Sequence, residues 1–367
     1  MNPADPASPE LVARDFQVSR QDLARTRCVE GPSPDAASLR SGEVLLAVDK
    51  FAFSSSNLGY ARGTGAALYL SFFAAEEGWG RLPVWGYAEV AASRHPLVRE
   101  GERLFAYLPM STHLRLPAGG NDAAGFADVS PHRARLPPAY NRILRVLRDP
   151  GYFPARENEQ ALLRPQFATS FLLDEHIAEQ NFYGAERVLI SSASSKTAQA
   201  LGFLLRRRRR VRVIGLTSAA NTGYCERSGC FDAVLAYDGL ATLPLAGKAV
   251  YVDLGGRCTA TIHHRLAGQL RASLRVVAAG AGSTPVQDLP GPAPEPFMAL
   301  HRLRERQQQW GLEGYEERHA EAWRAFALSL SGWLRIQHQR GEAAVAQVYQ
   351  EALEGRTPPE VGHILSL

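Results

Sequence analysis

The spacing of apolar and polar positions changes part-way along the chain. Between residue 11 and about residue 165, short alternating runs are punctuated by Gly and Pro. SGEVLLAVDKFAFSS puts Val44, Leu46 and Val48 on one face. LPVWGYAEVAASRHPLVREGERLFAYLPM reads as two strands joined by a polar turn at His95, Pro96 and Gly101. A period of two in short punctuated segments predicts a small barrel or folded sheet. From Pro165 the period lengthens. TSFLLDEHIAEQNFYG places Phe171, Leu172, Ile177 and Phe182 at helical spacing, with Gly184 as the stop. The later apolar runs FDAVLAY, KAVYVDLGG and LRVVAAGAGST, with short connections, predict a parallel sheet. A Pro-rich linker over 286–296 leads into helical patterns in PFMALHRLRERQQQWG and EERHAEAWRAFALSLSGWLRI. A helix, a turn and a strand, HILSL, follow.

Between these regions, RVLISSASSKTAQALGFLLRRRRRVRVIGLTS is the most informative stretch. Val188, Leu189 and Ile190 stop in a cluster of small residues; Ala198, Leu201, Leu204 and Leu205 follow at helical spacing; Val211, Val213, Ile214 and Leu216 form a second apolar run. Strand, tight turn, helix and strand make a βαβ unit of the size of a dinucleotide-binding crossover. In such a unit the turn's N–H groups and the helix N-terminus face a pyrophosphate. The three key turn positions are Ser192, Ser195 and Ala198, where the first two normally carry Gly. Serine serves there if φ stays negative, its hydroxyl reaching a phosphate oxygen and Lys196 adding a charge beside Thr197. The same residues also suit a crossover without a ligand, Ser192 and Ser195 acting only as helix caps. The turn alone leaves both open.

Composition narrows the classes. The chain has 367 residues, enough for two or three domains, and 41 Lys and Arg against 37 Asp and Glu give a net charge of +4. That balance argues against nucleic acid as a partner. The run Arg206–Arg210 reads as a solvated helix end complementing the macrodipole. No apolar run is long enough to span a membrane, and MNPADPASPELVARDF lacks the regions of a secretory signal. Residues 1–10 read as a disordered tail. Cys28, Cys225, Cys230 and Cys258 form no CxxC pair, which points to reduced thiols, a cytoplasmic protein and no zinc site by spacing.

The order of segments resembles the medium-chain dehydrogenase/reductase superfamily on its zinc-free, quinone-oxidoreductase side. GEVLLAVDKFAFSSSN resembles its first catalytic-domain strand and following loop, LPVWGYAEV and GERLFAYLP its core strands, and RVLISSASSKTA its glycine turn. YVDLGG resembles its fourth nucleotide-domain strand, with Asp253, Gly255 and Gly256, and EAAVAQVYQEALEGRTPPEVGHILSL its closing helix and strand. FAFSSSN, VWGYAEV and AWRAF resemble a bacterial branch known only as a domain of unknown function. The resemblance implies an α/β chain with a GroES-like β-barrel catalytic domain (11–165), a Rossmann-like nucleotide-binding domain (166–290), a helical addition (291–330) and a return helix and strand (331–367). It also implies a small-molecule substrate and leaves room for a homodimer.

Departures from the family pattern limit what is carried over. Zinc-dependent members have Gly-His-Glu after the barrel strand; here Tyr87 follows Gly86, the cysteine ligand and the four-cysteine lobe are absent, and His263 and His264 are too close in sequence to converge on one metal. No metal is expected. An NAD-binding fold needs an acid at the tip of its second strand. Here Leu216, Thr217, Ser218, Ala219, Ala220 and Asn221 contain none. Hydroxyls with Lys196 or Arg212 suit a 2′-phosphate, hence NADP(H). The loop after the first barrel strand holds Ser54, Ser55, Ser56, Asn57 and Tyr60. By resemblance Asn57 or Ser56 orients the substrate and Tyr60 donates a proton. Trp85 and Tyr87 are candidates both for the pocket wall and for barrel filling, and Phe72, Phe73 and Trp79 for capping an apolar substrate.

Three activities fit these residues. The first is a zinc-independent NADP(H)-dependent oxidoreductase reducing a carbonyl or activated C=C bond of a small organic molecule by direct hydride transfer. The second is a non-redox, lyase- or hydratase-like enzyme on the same fold, with acid–base work by Tyr60, His95 or His113. The third is a catalytically silent NADPH-binding protein with a partner surface at the helical stretch, where Trp310, Trp323 and Phe326 suit packing against the nucleotide domain better than contact with a partner.

Overall fold

The computed structural model of the chain describes residues 12–31, 35–62, 66–241, 247–255, 258–277 and 289–367. The expected tail at 1–10 lies outside them. The chain divides into two compact units. One holds the described residues of 1–149 with 337–357 and 363–367; the other holds those of 150–336 with 358–362.

The first unit opens with β1 (Ala13–Ser19), β2 (Thr26–Gly31) and β3 (Glu43–Phe53). Two short helices follow, α1 (Ser55–Arg62) and α2 (Ala66–Tyr69). Then come β4 (Trp79–Gly80), β5 (Pro83–Ser93), β6 (Arg103–Pro109), β7 (His113–Gly119), β8 (Gly125–Asp128), α3 (Pro138–Asn141) and β9 (Arg142–Arg145). Six strands in the order β3-β5-β6-β9-β8-β7 close through the pairing of β3 with β7, making the GroES-like barrel; β2, β1 and β4 form a separate small sheet. The alternation in β3 does its expected work: Val44 and Leu46 are fully buried and Val48 packs on the same core. Leu46 lies opposite Val90 on β5 and Leu114 on β7. Where β3 bulges between Val48 and Lys50, β5 crosses so closely that a Cβ on Gly86 would collide with the Lys50 carbonyl.

Sequence patterning misses a buried polar cluster at Arg133, in the turn after β8. Arg133 is 1 % exposed. Its guanidinium donates to Asn141 Oδ1 (3.0 Å), the Phe72 carbonyl (2.9 Å) and the Tyr140 carbonyl (2.7 Å). It lies 3.2 Å from buried Asp128 and stacks 4.7 Å over the Phe73 ring. Thus Phe72 and Phe73 are buried under Arg133, and Trp79 lies beneath Arg27 at 4.1 Å, rather than forming a substrate cap.

The second unit contains α4 (Glu157–Glu179), β10 (Arg187–Ile190), α5 (Lys196–Arg208), β11 (Arg212–Thr217), α6 (Thr222–Arg227), β12 (Ala233–Ala236) and β13 (Ala249–Asp253). It continues through α7 (Thr259–Leu266), β14 (Leu270–Val276), β15 (Glu295–Phe297) and α8 (Ala299–Ser329); β16 (Arg335–Arg340) follows, its residues from Gln337 on belonging to the first unit. Its sheet is parallel in the order β12-β11-β10-β13-β14-β15. Numbered from β10, that is 3-2-1-4-5-6, the order of a Rossmann sheet. The chain closes with α9 (Glu342–Leu353) and β17 (Val361–Ser366), and β17 pairs with β3 on the barrel.

Four expectations change. Pro165 does not begin the second unit; α4 runs through it, and Ala161, Leu162 and Leu163 are already buried ahead of it. The stretch over 291–330 is no separate addition: it lies within the second unit, and α8 packs on α4. The Pro-rich stretch supplies β15, a strand that tolerates Pro296 because it is at the sheet edge. SGWLRI is not helix: one 3₁₀ turn at Leu330–Gly332 leads into β16, since Gly332 favours leaving the helix. Trp323 and Phe326 are buried and meet Phe167 at 5.4 and 5.3 Å, and Trp310 meets Phe171 at 6.5 Å. These three anchors pack onto α4, as their sequence pattern suggests.

Arg133→Leu leaves the Asp128 carboxylate buried without its cation, so it should lower stability to urea by about 3–5 kcal/mol. A loss below about 1 kcal/mol would show that Arg133 does not hold the buried polar cluster.

Candidate functional site

The turn after β10 lies where the strand order reverses, between β10 and β13, the place where open α/β sheets hold ligands. Ser191 continues the ladder, its N–H donating to the Val252 carbonyl at 3.0 Å. Ser192 then turns into the left-handed region at φ 51°. This overturns the expectation of a negative φ: the turn needs the conformation that Gly adopts freely, and Ser holds it at a cost on the order of 1 kcal/mol. The Ser192 N–H donates to the Tyr237 hydroxyl at 2.8 Å, and its carbonyl accepts from Ser195 N–H at 2.7 Å. Ser195 is the cap of α5, its Oγ accepting from Ala198 N–H at 3.2 Å. Ser192 Oγ faces Gly255 so closely that a Cβ there would collide with it.

The backbone N–H groups of Lys196 and Thr197, the first two of α5, have no partner among the described residues. They stand at the positive end of a helix of 13 residues. Two free N–H groups and that dipole are what an anionic phosphate oxygen needs.

The side chains around this turn sort differently from expectation. Lys196 does not point to a phosphate. Its Nζ donates to the carbonyls of Val361 (3.1 Å) and Pro359 (3.4 Å), and burial lowers its pKa to about 8, partly offset by the Glu360 carboxylate. Arg212 opens β11 while the tip is at Thr217, so about 16 Å of strand separates it from a 2′-phosphate there. Thr217 is buried and bonds Cys225, leaving Ser218 as the exposed hydroxyl of the tip. Asn221 donates to Ser194 Oγ at 3.2 Å and ties the tip to the turn.

Asp253 is 1 % exposed, and its carboxylate oxygens face protein donors. Its Oδ1 accepts from Gly255 N–H (3.1 Å) and Ser191 Oγ (3.3 Å), and its Oδ2 accepts from Thr259 Oγ1 (2.7 Å) and Arg275 Nε (3.3 Å). Ser191 Oγ also accepts from Leu254 N–H at 2.8 Å. Tyr237, Ser191, Thr259 and Arg275 were not singled out from sequence. The only signal was Tyr237 closing the run FDAVLAY, and nothing local shows that it reaches the turn.

In the first unit, α1 carries Ser56, Asn57 and Tyr60. Asn57 is committed on both ends of its amide. Oδ1 accepts from Ser54 N–H (3.1 Å) and Ser54 Oγ (3.3 Å), and Nδ2 donates to the Pro83 carbonyl (3.1 Å) and Tyr69 hydroxyl (3.4 Å). That fills its capacity and makes it a support for α1 rather than a substrate contact. Ser56 is exposed and shares a 2.6 Å hydrogen bond with Ser54 Oγ. Tyr60 has its backbone in α1, and its side chain lies outside the described residues. Trp85 is half-buried, 4.7 Å from the Tyr107 ring and 5.3 Å from Phe105. Tyr87 is fully buried against Phe105, with Arg103 5.2 Å from its ring, on the face of β5 opposite the core residues Ala88 and Val90.

The histidines named for acid–base work are placed too. His95 Nδ1 accepts from Leu97 N–H at 3.2 Å within its turn. His113 lies 3.0 Å from Thr112 Oγ1, and burial lowers its pKa. His263 is buried between the Pro290 carbonyl and Ser273 Oγ, while His264 is exposed, so the pair does not converge. Among the described residues no three His, Cys, Asp or Glu side chains form a metal-binding group.

Residues 51–358 match the family described as "Protein of unknown function (DUF2855)". The chain belongs to this family. No curated protein matches the DUF2855 chain. Solved structures do, along nearly its whole length. CurA from Vibrio vulnificus in complex with NADPH superposes at a TM-score of 0.58 and 11 % identity, covering 96 % of this chain and 98 % of that one. The CurF ER cyclopropanase from the curacin A biosynthetic pathway superposes at 0.58 and 14 %, covering 98 % and 99 %. S. aureus TarJ in complex with NADPH superposes at 0.55 and 10 %, covering 97 % and 99 %. The DUF2855 chain has the fold of the medium-chain dehydrogenase/reductases, a GroES-like barrel with a Rossmann sheet. No helix among its described residues is long and apolar enough to cross a membrane.

Ser192 and Gly255 should be energetically coupled. Gly255→Ala should cost about 1–3 kcal/mol through the clash with Ser192 Oγ. Ser192→Gly, which removes the clash and the left-handed strain, should recover most of that loss in the double variant. Additive effects in a urea double-mutant cycle would refute the coupling.

Proposed function

We propose that this chain is a zinc-independent NADP(H)-dependent oxidoreductase that reduces a carbonyl or an activated C=C bond of a small organic substrate. The observation that carries the reading is the pair of unpartnered N–H groups, Lys196 and Thr197, at the start of α5 and at the sheet's switch point. They fit the pyrophosphate of a dinucleotide, and Gly255 leaves the opposite wall without a side chain. Two superposing structures, CurA and TarJ, are described with NADPH bound, which supports the same cofactor here. The tip from Leu216 to Asn221 holds no acid to select a free ribose 2′-hydroxyl, and exposed Ser218 suits the 2′-phosphate.

Bound there, the reduced nicotinamide would supply a hydride. The chain's own part is to hold and orient. The two N–H groups and the α5 dipole hold the phosphates, and Asp253 keeps the two loops of the turn in register. Ser56 offers an exposed hydroxyl to orient a substrate oxygen. Tyr60, one helical turn from Ser56, holds the proton that a developing enolate or alkoxide would take. Tyr87, standing where zinc-dependent relatives have His, supports the zinc-free reading.

One contact favours a second reading. The Tyr237 hydroxyl already takes the Ser192 N–H, which would suit a turn closed to dinucleotides and a non-redox reaction, or a protein that binds without turnover.

Titration of the full chain with NADPH and NADH, followed by nicotinamide fluorescence, should show NADPH binding at least about tenfold tighter, a difference on the order of 1.4 kcal/mol. No binding of either at millimolar concentration would overturn the redox reading in favour of the second. With a turned-over carbonyl or enone in hand, Tyr60→Phe should lower kcat by about 10²–10⁴-fold with NADPH affinity unchanged. An equal loss of cofactor affinity would remove Tyr60 from the proton-donor role.

A further inference from the structure

The arginine run that reads in sequence as a solvated helix end is mostly exposed in the folded chain, and it also lines a concave surface. α5 ends at Arg208 and β11 begins at Arg212, so the run lies at the end of the parallel strands opposite the candidate dinucleotide turn. The length of α5 puts the two ends about 20 Å apart. At this end Arg206, Arg207, Arg209, Arg210 and Arg212 all line one cavity of about 960 Å³. That volume is within the range of small-molecule sites.

Two carboxylates share the wall, Glu186 and Asp232. Asp232 is taken: Oδ1 accepts from Arg206 Nε and Oδ2 from the Val213 N–H, each at 2.8 Å. Arg206 also donates to the Gly229 carbonyl, and Arg208, just outside the cavity, is held by Asp174 and Glu175. Arg207 lies 5.7 Å from the Phe203 ring, which orients it. The guanidinium groups of Arg209, Arg210 and Arg212 have no side-chain partner among the described residues. Glu186 is the one carboxylate of the wall left to face them, so the wall keeps an excess of positive charge.

The backbone adds an independent sign. Arg209 is the C-cap of α5 and sits at φ 51°, ψ 34°. Glycine is the usual residue at such a left-handed helix end. An arginine there holds strain of order 1 kcal/mol, a pattern that concentrates at functional positions. The strained backbone carries one of the unpartnered cations of the cavity.

We propose that this cavity binds a terminal oligophosphate, two or more linked phosphates ending in a free phosphate, either inorganic or carried on a nucleotide; the internal pyrophosphate of a dinucleotide is outside this class. Guanidinium groups match phosphate oxygens with paired N–H donors, and several of them converging on one concave wall match several closely spaced phosphates. An extended nucleic-acid backbone would instead need cations laid out along a stripe, and the chain's overall charge of +4 gives little long-range attraction to one. The site is separate from the dinucleotide turn and stands or falls without it.

The test uses calorimetric titration of the full chain with sodium triphosphate, ATP and AMP at about 0.15 M salt, where weak surface attraction is screened. The variant is Arg209→Gly with Arg210→Gln. Its glycine suits the left-handed cap, so the ligand-free melting temperature should not fall. Triphosphate should bind the wild type at least about tenfold more tightly than the variant, roughly the effect of one charge-assisted hydrogen bond. AMP should bind more weakly than triphosphate. ATP matching triphosphate would assign the recognition to the phosphates alone, and ATP binding more tightly would assign a nucleotide. Saturating NADPH should leave triphosphate binding intact. Equal binding by wild type and variant, competition by NADPH, or a response reproduced by sodium chloride at equal ionic strength would each overturn the proposal. Preferential binding of a 20-base-pair DNA duplex over triphosphate would replace it with an extended polyanion surface.

Discussion

The Asp253 carboxylate is withdrawn from solvent at the point where the strand order reverses, and donors from four places close on it: Ser191 after β10, Gly255 after β13, Thr259 on α7 and Arg275 on β14. A buried carboxylate is tolerated only when its lone pairs are filled. Filling them forces the ends of three neighbouring strands and one helix into a single arrangement. The turn's conformation, the approach of Gly255 to Ser192 and the exposure of the first N–H groups of α5 all follow from that arrangement. The switch-point end of the sheet is thus held from behind by a buried charge.

Glycine's usual duties in a dinucleotide turn have been redistributed. Ser192 keeps the left-handed backbone that glycine would supply, and the space its hydroxyl needs is recovered across the switch point at Gly255. Ser195 gives up close approach in exchange for a helix cap. The departures from the glycine pattern therefore change which residue carries strain while the strand–turn–helix path is retained.

Local patterning carried the architecture far. The alternation at Val44, Leu46 and Val48, the crossover from Val188 to Leu216 and the closing helix and strand are read from neighbours in sequence, because periodicity and punctuation are local properties. Side-chain roles were less legible wherever partners lie far along the chain. Asn57 looked free until Pro83 and Tyr69 closed on its amide. Lys196 looked like a phosphate ligand until its ammonium met the Pro359 and Val361 carbonyls. Arg133 gave no signal at all, since a buried arginine is defined by carbonyls from Phe72 and Tyr140 that only the barrel brings together. Tyr60 remains a reading from sequence.

The Lys196 contact has a temporal side. Its two acceptors lie 163 and 165 residues downstream, yet they belong to the same compact unit as the turn. On a ribosome, the sheet from β10 to β15 emerges and can pair well before those acceptors exist. During that interval the lysine would lack both carbonyls that hold it in the folded chain. The nascent unit would then carry a free cation beside the first amides of α5, and would lose it only when the segment at 358–362 docks. Translation itself would thereby pass the turn through two electrostatic states, the more basic one confined to the unfinished chain.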